Sequence, residues 1–299
     1  YLLFSFSYYN IFSPQRPHNY LTLAFLLFLI IVCVMKQFAV IGYPITHSKS
    51  PSLHTAGFDE LEIDAKFEAV EVKPEDLGDW IKNEFRPNYQ GCAITIPHKT
   101  EVLKYLDTVS DAAIQIGAVN TLYWDQGKLI GTNTDGIGAL KSIEAHMPKL
   151  EDKKVLILGA GGASRAIIFA LQLAGAHVAI WNRTTEKAQQ LSAEFEAGIV
   201  SELSHEAFNL FDLVVNTTSV GLKEWKSVVP AEFWSPHQVA FDIVYDPLET
   251  KFLSDAADND CEIITGDQML VHQALEQFRI WHGAVLEPEV MGKAFFEKE

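Results

Sequence analysis

The chain has 299 residues, 48% hydrophobic and 21% charged, with 23 basic against 39 acidic side chains and a net charge of −16. That apolar content excludes a disordered chain, and the lack of a Gly or Cys bias excludes collagen-like and disulfide-framework proteins. The acidic balance argues against gripping nucleic-acid phosphates or anionic membranes, which leaves a cytoplasmic α/β enzyme of two domains acting on small molecules.

Residues 1–34 stand apart: they hold one Arg, no Lys and no acid, so the other 265 residues carry −17. The run 21–34 is apolar except for Thr22, yet its 14 residues fall short of the ~20 a membrane span needs. No basic cluster precedes it and no small-residue cleavage pattern follows. Met35 is the first methionine. The expectation is that Met35 is the native start, that 1–34 is translated upstream sequence, and that no membrane is involved. A membrane anchor on 21–34 is the competing reading, and intact-mass analysis of the native protein separates the two. Cys33, Cys92 and Cys261 lack metal or redox spacing and are expected as buried, reduced thiols.

From residue 35 the patterns predict a strand over 38–42, a helix over 51–63, a strand over 65–72 and a helix over 74–85. A strand over 92–96, a helix over 97–106, a hairpin over 119–131 turning at 125–128, and a helix over 137–147 follow. Then the pattern changes. Residues 155–158 are continuously apolar, the mark of a strand buried on both faces. Further such strands at 177–181, 212–216, 239–244 and 262–264, separated by helices, predict a doubly wound parallel sheet. A last helix over 268–281 carries an apolar face (Met269, Leu270, Ala274, Leu275, Phe278) suited to crossing back. The expected class is α/β, with an N-terminal α/β substrate domain (35–136 plus 268–299) and a Rossmann-type domain (137–267).

Between the first buried strand and its helix stand Gly159-Ala160-Gly161-Gly162-Ala163-Ser164, a G-x-G-x-x-[G/A]-like turn with Ser164 in place of the third glycine. Gly159 allows the tight turn, Gly161 admits a pyrophosphate, and the helix N-terminus offers free N–H groups. At the end of the second strand, 23 residues past Gly159, come Asn182-Arg183-Thr184, where an NAD site carries an acid. An arginine there pairs with a 2′-phosphate, and Lys187 adds charge, which points to NADP(H). The competing reading is a structural turn and a solvated arginine.

The other domain carries a polar constellation. Ser48 and Ser50 flank Lys49 ahead of Pro51. Ser50 reads as an N-cap before a proline at the first helical position, or the two hydroxyls form a carboxylate site at a helix N-terminus. Thr95-Ile96-Pro97-His98-Lys99 puts Lys99 in the first turn of the helix expected from Pro97. A cation there opposes the macrodipole at ~0.3–1 kcal/mol, which favours a functional role, and the same field eases release of the ammonium proton. Asp135 reads as N-cap of the helix from 137 or as the group that orients Lys99. His47, His54, His98 and His272 show no metal spacing, so no metal is expected.

Taken together, Ser48–Pro51, Thr95–Lys99, Gly117-Ala118-Val119-Asn120-Thr121, Asn133-Thr134-Asp135-Gly136, Gly159–Ser164, Asn182–Thr184 and Met269-Leu270-Val271-His272-Gln273-Ala274 resemble the shikimate dehydrogenase family over 35–299. The resemblance implies reversible NADPH-dependent reduction of 3-dehydroshikimate to shikimate, on the route to chorismate and aromatic amino acids. It assigns Lys99 and Asp135 as the catalytic pair and Ser48 and Ser50 to the substrate carboxylate. Thr95, Asn120, Asp135 and Gln273 go to its hydroxyls, with Tyr245 as a further substrate residue. Gly159–Ala163, Asn182–Lys187 and, in the loop after the third buried strand, Thr218 and Ser219 would hold NADP, with Ile243 and Gly266 toward the nicotinamide. Ala93 stands where an asparagine is frequent, and Asp267-Gln268 where less polar residues are common. A hinge near 136 and 267 is expected, and a homodimer is compatible with the family. The alternatives are a quinate/shikimate dehydrogenase with relaxed cofactor use and a catalytically silent NADP-binding sensor.

Overall fold

The computed structural model describes residues 35–46 and 48–297. The expectations for 1–34, including Cys33, and for His47 lie outside the described residues. Residues Gln37–Glu299 form one compact unit containing two six-stranded sheets.

The first sheet is built from β1 (Lys36–Gly42), β2 (Ala65–Glu71), β3 (Gly91–Ile94), β4 (Thr108–Val109), β5 (Thr121–Asp125) and β6 (Lys128–Thr132), in the order β2-β1-β3-β5-β6-β4. β1 pairs in parallel with β3, while β3–β5 and β5–β6 are antiparallel. Five consecutive residues of β1, Phe38 to Gly42, are buried, because a strand's side chains alternate and both faces here are covered. Phe38 and Val40 point into one core with α1 (Ser50–Glu60) and the C-terminal helices. Ala39 and Ile41 point into another with Leu77, Ile81 and Phe85. A short helix α2 (Asp111–Ile116) sits between β4 and β5.

Helix α3 (Asp135–His146) leads to the second sheet. Its elements are β7 (Lys154–Leu158), α4 (Gly162–Leu173), β8 (His177–Trp181), α5 (Thr185–Phe195), β9 (Gly198–Ile199), α6 (His205–Phe208), β10 (Leu213–Asn216), β11 (Val239–Asp242), α7 (Lys251–Ala257) and β12 (Glu262–Ile264). The order is β12-β11-β10-β7-β8-β9, parallel throughout. Val155 and Ile157 face α3 and α4, while Leu156 and Leu158 face Phe208, Trp234 and Phe252. The order reverses between β7 and β10, and the crevice at the carboxyl ends of those strands is where such sheets take ligands. Helix α8 (Gly266–His282) then returns to the first sheet, burying Val271, Ala274 and Phe278 against Phe38 and Phe58, and α9 (Pro288–Phe296) closes the chain with Met291 in the same core.

The helix expected over 97–106 is absent. Residues 97–100 turn, and only a 3₁₀ segment, Glu101–Tyr105, follows. The Lys99 carbonyl accepts from Val119 N–H at 2.8 Å instead of from a following helical turn, and the buried His98 ring bonds the Val72 carbonyl at 2.7 Å. The segment expected as one helix over 74–85 is broken into 3₁₀, α and π turns, which bring Leu77, Ile81 and Phe85 onto one buried line. Cys92 and Cys261 are buried thiols. Among the described residues no helix is long and apolar enough to cross a membrane, and no cluster of His, Cys, Asp and Glu could hold a metal ion.

Candidate active site

The site is assembled where α3 is wedged between α4 and α8. A Cβ on Gly136 would stand 2.7 Å from the Ala166 carbonyl of α4, and one on Gly138 would stand 2.8 Å from Gln273 Cβ and 2.9 Å from the Met269 carbonyl of α8. Two glycines in a helix cost about 1 kcal/mol each relative to alanine; here they let α3 lie close against α4 on one side and α8 on the other.

Lys99 Nζ donates to Asp135 Oδ2 at 2.5 Å, with the lysine side chain 17% and the aspartate 6% exposed. Asn120 Nδ2 donates to Asp135 Oδ1 and to Thr134 Oγ1, both at 2.9 Å, and lies 3.3 Å from Gln273 Oε1. Asp135 is not the N-cap expected of it. The helix starts two residues early, Thr134 takes the cap position, and the Asp135 N–H is held by Asn133 Oδ1 at 2.9 Å. Its carboxylate therefore lies free in the first turn, where the helix field favours an anion. The macrodipole reasoning for Lys99 falls with the missing helix; Lys99 sits on a turn and its partner alone sits on a helix.

Ser50 is likewise not the cap. Lys49 occupies that position without a side-chain bond, and Ser50 opens α1 as a buried residue. Its hydroxyl is therefore not consumed in capping, while Ser48 Oγ accepts from the Ser50 N–H at 3.3 Å. The Lys49 N–H donates to the Tyr245 hydroxyl, and burial pushes that phenol above its ordinary range against the lowering effect of the bond. The Tyr245 ring meets Phe295 edge-on at 6.1 Å. Ser48 and Tyr245 thus take the backbone amides of successive residues, Ser50 and Lys49, at the start of α1. Thr95 follows β3, with its N–H on the Ile41 carbonyl at 2.9 Å.

On the second sheet, Gly159 takes φ +123°, which favours glycine, and Gly161 opens onto free space, with nothing within 4 Å of an added Cβ. Ser164, the departure from the glycine pattern, has a structural job. Its Oγ accepts from the Gly161 N–H at 2.9 Å and bonds Thr217 Oγ1 at 2.7 Å, and Thr217 in turn donates to the Leu158 carbonyl at 2.8 Å. The serine thereby ties the turn to the end of β10. A Cβ on Gly162 would stand 3.2 Å from Lys99 Cβ, so the lysine stem lies over the glycine turn. Arg183, Thr184 and Lys187 are exposed beyond β8, and Asn182 donates to the Thr184 carbonyl at 2.8 Å. Open space at Gly161, the start of α4 and exposed cations beyond β8 fit a dinucleotide carrying a 2′-phosphate.

Asn216 organises the next loop. Its Oδ1 accepts from Thr218 N–H and Thr218 Oγ1, and its Nδ2 donates to Asp242 Oδ1 at 3.0 Å. Asp242 also accepts from Val244 N–H and Thr250 Oγ1. Gly266 is pressed onto the neighbouring backbone, 2.5 Å from a Cβ to the Val244 carbonyl, which brings it beside Ile243. Asp267, one of the departures from the family pattern, opens α8 with Oδ1 buried and unpartnered in the structure.

Burial pushes the Asp242 carboxyl up from 3.8 to about 6, against three hydrogen bonds that favour its charge. A raised folded-state pKa means the folded chain binds more protons than the unfolded chain between about pH 4 and 6, so this group's contribution to stability is present at acid pH and lost as pH rises through 6. Asp242→Asn should therefore flatten that part of the profile. The difference in Tm between wild type and variant should move in the variant's favour from pH 4 to pH 7, and a pH-independent difference would show that Asp242 does not titrate there.

Three family models match the chain: the shikimate dehydrogenase substrate binding domain over residues 40–122, shikimate/quinate 5-dehydrogenase over 141–223, and the shikimate 5′-dehydrogenase C-terminal domain over 268–294. The shikimate dehydrogenase (NADP(+)) of Methanococcoides burtonii is 43% identical over 265 residues, covering 88% of this chain and 98% of that protein. The chain belongs to the shikimate dehydrogenase family. A solved shikimate dehydrogenase from Aquifex aeolicus superposes with a TM-score of 0.84 at 38% identity, covering 88% of this chain and 98% of that one. The Thermus thermophilus enzyme, solved in complex with NADP(H) and shikimate, gives 0.80 at 38% identity, covering 87% and 98%.

Of the residues that the family resemblance assigned, Lys99, Asn120, Asp135 and Gln273 form one bonded group, and Ser48 and Tyr245 bond the neighbouring amides of Ser50 and Lys49. Thr121, Thr134, Gln277, Gly138 and Asp242 were not among the expected site residues. For Gly138 a signal existed: Gly136 and Gly138 in the opening turn of a helix mark a close approach.

Proposed function

We propose that Lys99 and Asp135 carry the reversible NADPH-dependent reduction of 3-dehydroshikimate to shikimate. The observation behind this reading is the 2.5 Å Lys99–Asp135 pair, whose lysine stem lies against Gly162 of the glycine turn. In this reading residues 35–136 with 268–299 bind the substrate and 137–267 bind NADP, with closure about a hinge near 136 and 267.

NADPH, when bound, supplies the hydride. The Lys99 ammonium donates the proton to the oxygen that becomes the new hydroxyl and takes it back in the reverse direction. Asp135 Oδ2 fixes where that ammonium points, so the proton starts in line rather than after a search. Ser48 and Ser50, at the start of α1, hold the substrate carboxylate where the helix field favours an anion, and Tyr245, which follows β11 and bonds the Lys49 amide, is a further substrate residue. Thr95, Asn120 and Gln273 orient the ring hydroxyls. Gly159, Ala160, Gly161, Gly162 and Ala163 line the pyrophosphate. Asn182, Arg183, Thr184 and Lys187 take the 2′-phosphate end, Thr218 and Ser219 hold NADP from the loop after β10, and Ile243 and Gly266 border the nicotinamide. The intact, bonded Lys99–Asp135 pair disfavours a silent sensor.

The test is a spectrophotometric assay of the purified chain with shikimate or quinate and with NADP or NAD. Shikimate with NADP should yield reduced nicotinamide most efficiently. Loss of the arginine in Arg183→Ala should raise the KM for NADP by about 10–100-fold, the weight of a charge-assisted bond, and leave the KM for NAD unchanged. NADP binding without any shikimate-dependent reduction would support the sensor instead.

A further inference from the structure

Behind the Lys99–Asp135 pair runs a chain of fully buried polar groups, His54, Gln277 and Thr121, that the proposed chemistry does not use and that ends on Asn120. His54 Nε2 and Gln277 Oε1 are 3.2 Å apart. Gln277 Nε2 donates to Thr121 Oγ1 at 3.1 Å and to the Asn120 carbonyl at 3.2 Å. Thr121 Oγ1 donates to Asn120 Oδ1 at 2.7 Å, which also accepts from Thr134 N–H at 2.8 Å. None of His54, Asn120, Thr121 or Gln277 is more than 2% exposed, so water cannot replace a missing partner and each orientation is set by its neighbours.

The direction of the bonds from His54 to Thr121 follows from the first, and agrees at Asn120 Oδ1 with the Thr134 N–H. His54 is wholly enclosed by protein, stacked on Phe67 at 4.3 Å, and burial pushes its pKa down to about 3. It is therefore neutral, and with Nδ1 buried and unpartnered its one N–H lies on Nε2, facing Gln277 Oε1. The Gln277 amide then has to present its NH₂ toward Thr121 and the Asn120 carbonyl. Thr121 Oγ1, already accepting, has its proton left for Asn120 Oδ1. Asn120 consequently turns its NH₂ toward Asp135 Oδ1, where the reversed amide would set one acceptor oxygen against another.

We propose that Thr121, anchored by Gln277 and His54, is a positioning residue that sets the Asn120 amide and, through it, the Asp135 carboxylate facing Lys99. This rests on the reaction proposed above. Thr121 touches none of the expected substrate groups; it acts one bond further back.

Thr121→Val keeps the shape and removes only the hydroxyl, and Thr121→Ser restores the hydroxyl without the methyl. Expected are a fall of about 10–100-fold in kcat/KM for shikimate in Thr121→Val, the weight of an unsatisfied buried group close to the reacting atoms. The KM for NADP should stay within about twofold, and Thr121→Ser should recover most of the loss. The side-chain amide protons of Asn120, identified by their absence in Asn120→Ala, should exchange slowly with solvent in wild type and Thr121→Ser and fast in Thr121→Val. Unchanged exchange together with unchanged kcat/KM would overturn the proposal, as would equal damage to the shikimate and NADP parameters without rescue by serine. A wild type that fails to oxidise shikimate but still shows Thr121-dependent protection of Asn120 would overturn the reaction and leave the positioning role standing.

Discussion

Replacing Lys99 with methionine should lower kcat by about 10²–10⁴-fold, the range set by removing a general acid, while the KM for shikimate changes by less than about threefold. The asymmetry comes from what each group does. The ammonium meets charge that develops only as the ring oxygen is reduced, so its loss is felt in the transition state and not in the ground state. Ser48, Ser50, Tyr245 and Gln273, proposed to hold the substrate, are left as they were. Methionine also keeps an unbranched stem over Gly162, which lies 3.2 Å from Lys99 Cβ when a Cβ is built on the glycine. Lys99→Ala keeps the Cβ but removes the Cγ and Cδ that lie 3.8 and 3.4 Å from the same point, and should add a rise in the KM for NADP that Lys99→Met does not show. A Lys99→Met enzyme with more than a tenth of wild-type kcat would remove the lysine from the chemistry.

How much of this was legible in the chain depends on where each feature's cause lies. The second sheet was readable because its causes are local. Strands buried on both faces are continuous apolar runs, and Val155–Leu158 into Gly159 states both the strand and its turn within a few residues. Boundaries there differ by a residue or two. The turn carrying Lys99 was misread because its cause is remote: the Lys99 carbonyl is taken by Val119 N–H, twenty positions away, and nothing between Pro97 and Leu106 announces that. The macrodipole reason for singling out Lys99 goes with the missing helix; what stands beside the lysine is its bond to Asp135. The Asn120–Asp135–Gln273 meeting was legible only through the family resemblance, since it depends on α8 returning across Gly138. The orientation chain from His54 to Asn120 was invisible for a simpler reason: a buried Thr, Gln or His in a sequence looks like any other, and only the geometry shows that each has one way to bond.

Asp135→Asn should be the more damaging change, although it alters no shape. The carboxylate accepts on both oxygens, from Lys99 Nζ on Oδ2 and from Asn120 Nδ2 on Oδ1. An asparagine has one acceptor oxygen and one NH₂, so whichever way it turns, a donor faces a donor at a site only 6% exposed. If its oxygen faces Asn120, the Lys99 ammonium loses its counter-charge inside the site and drifts from the line of proton delivery. With its oxygen toward Lys99 instead, Asn120 is pushed off its hydrogen bonds and its proposed hold on a substrate hydroxyl weakens. Both routes lower kcat and raise the KM for shikimate together, so kcat/KM should fall by about 10³-fold or more, where Lys99→Met acts on kcat alone. Asp135→Glu should not recover it, because an added methylene displaces both carboxylate oxygens from the positions that Lys99 Nζ and Asn120 Nδ2 bond. A double variant, Lys99→Met with Asp135→Asn, should be little worse than Asp135→Asn alone, since Asp135→Asn already deprives the lysine of its alignment. Additive losses would mean that the carboxylate serves the substrate independently of the ammonium.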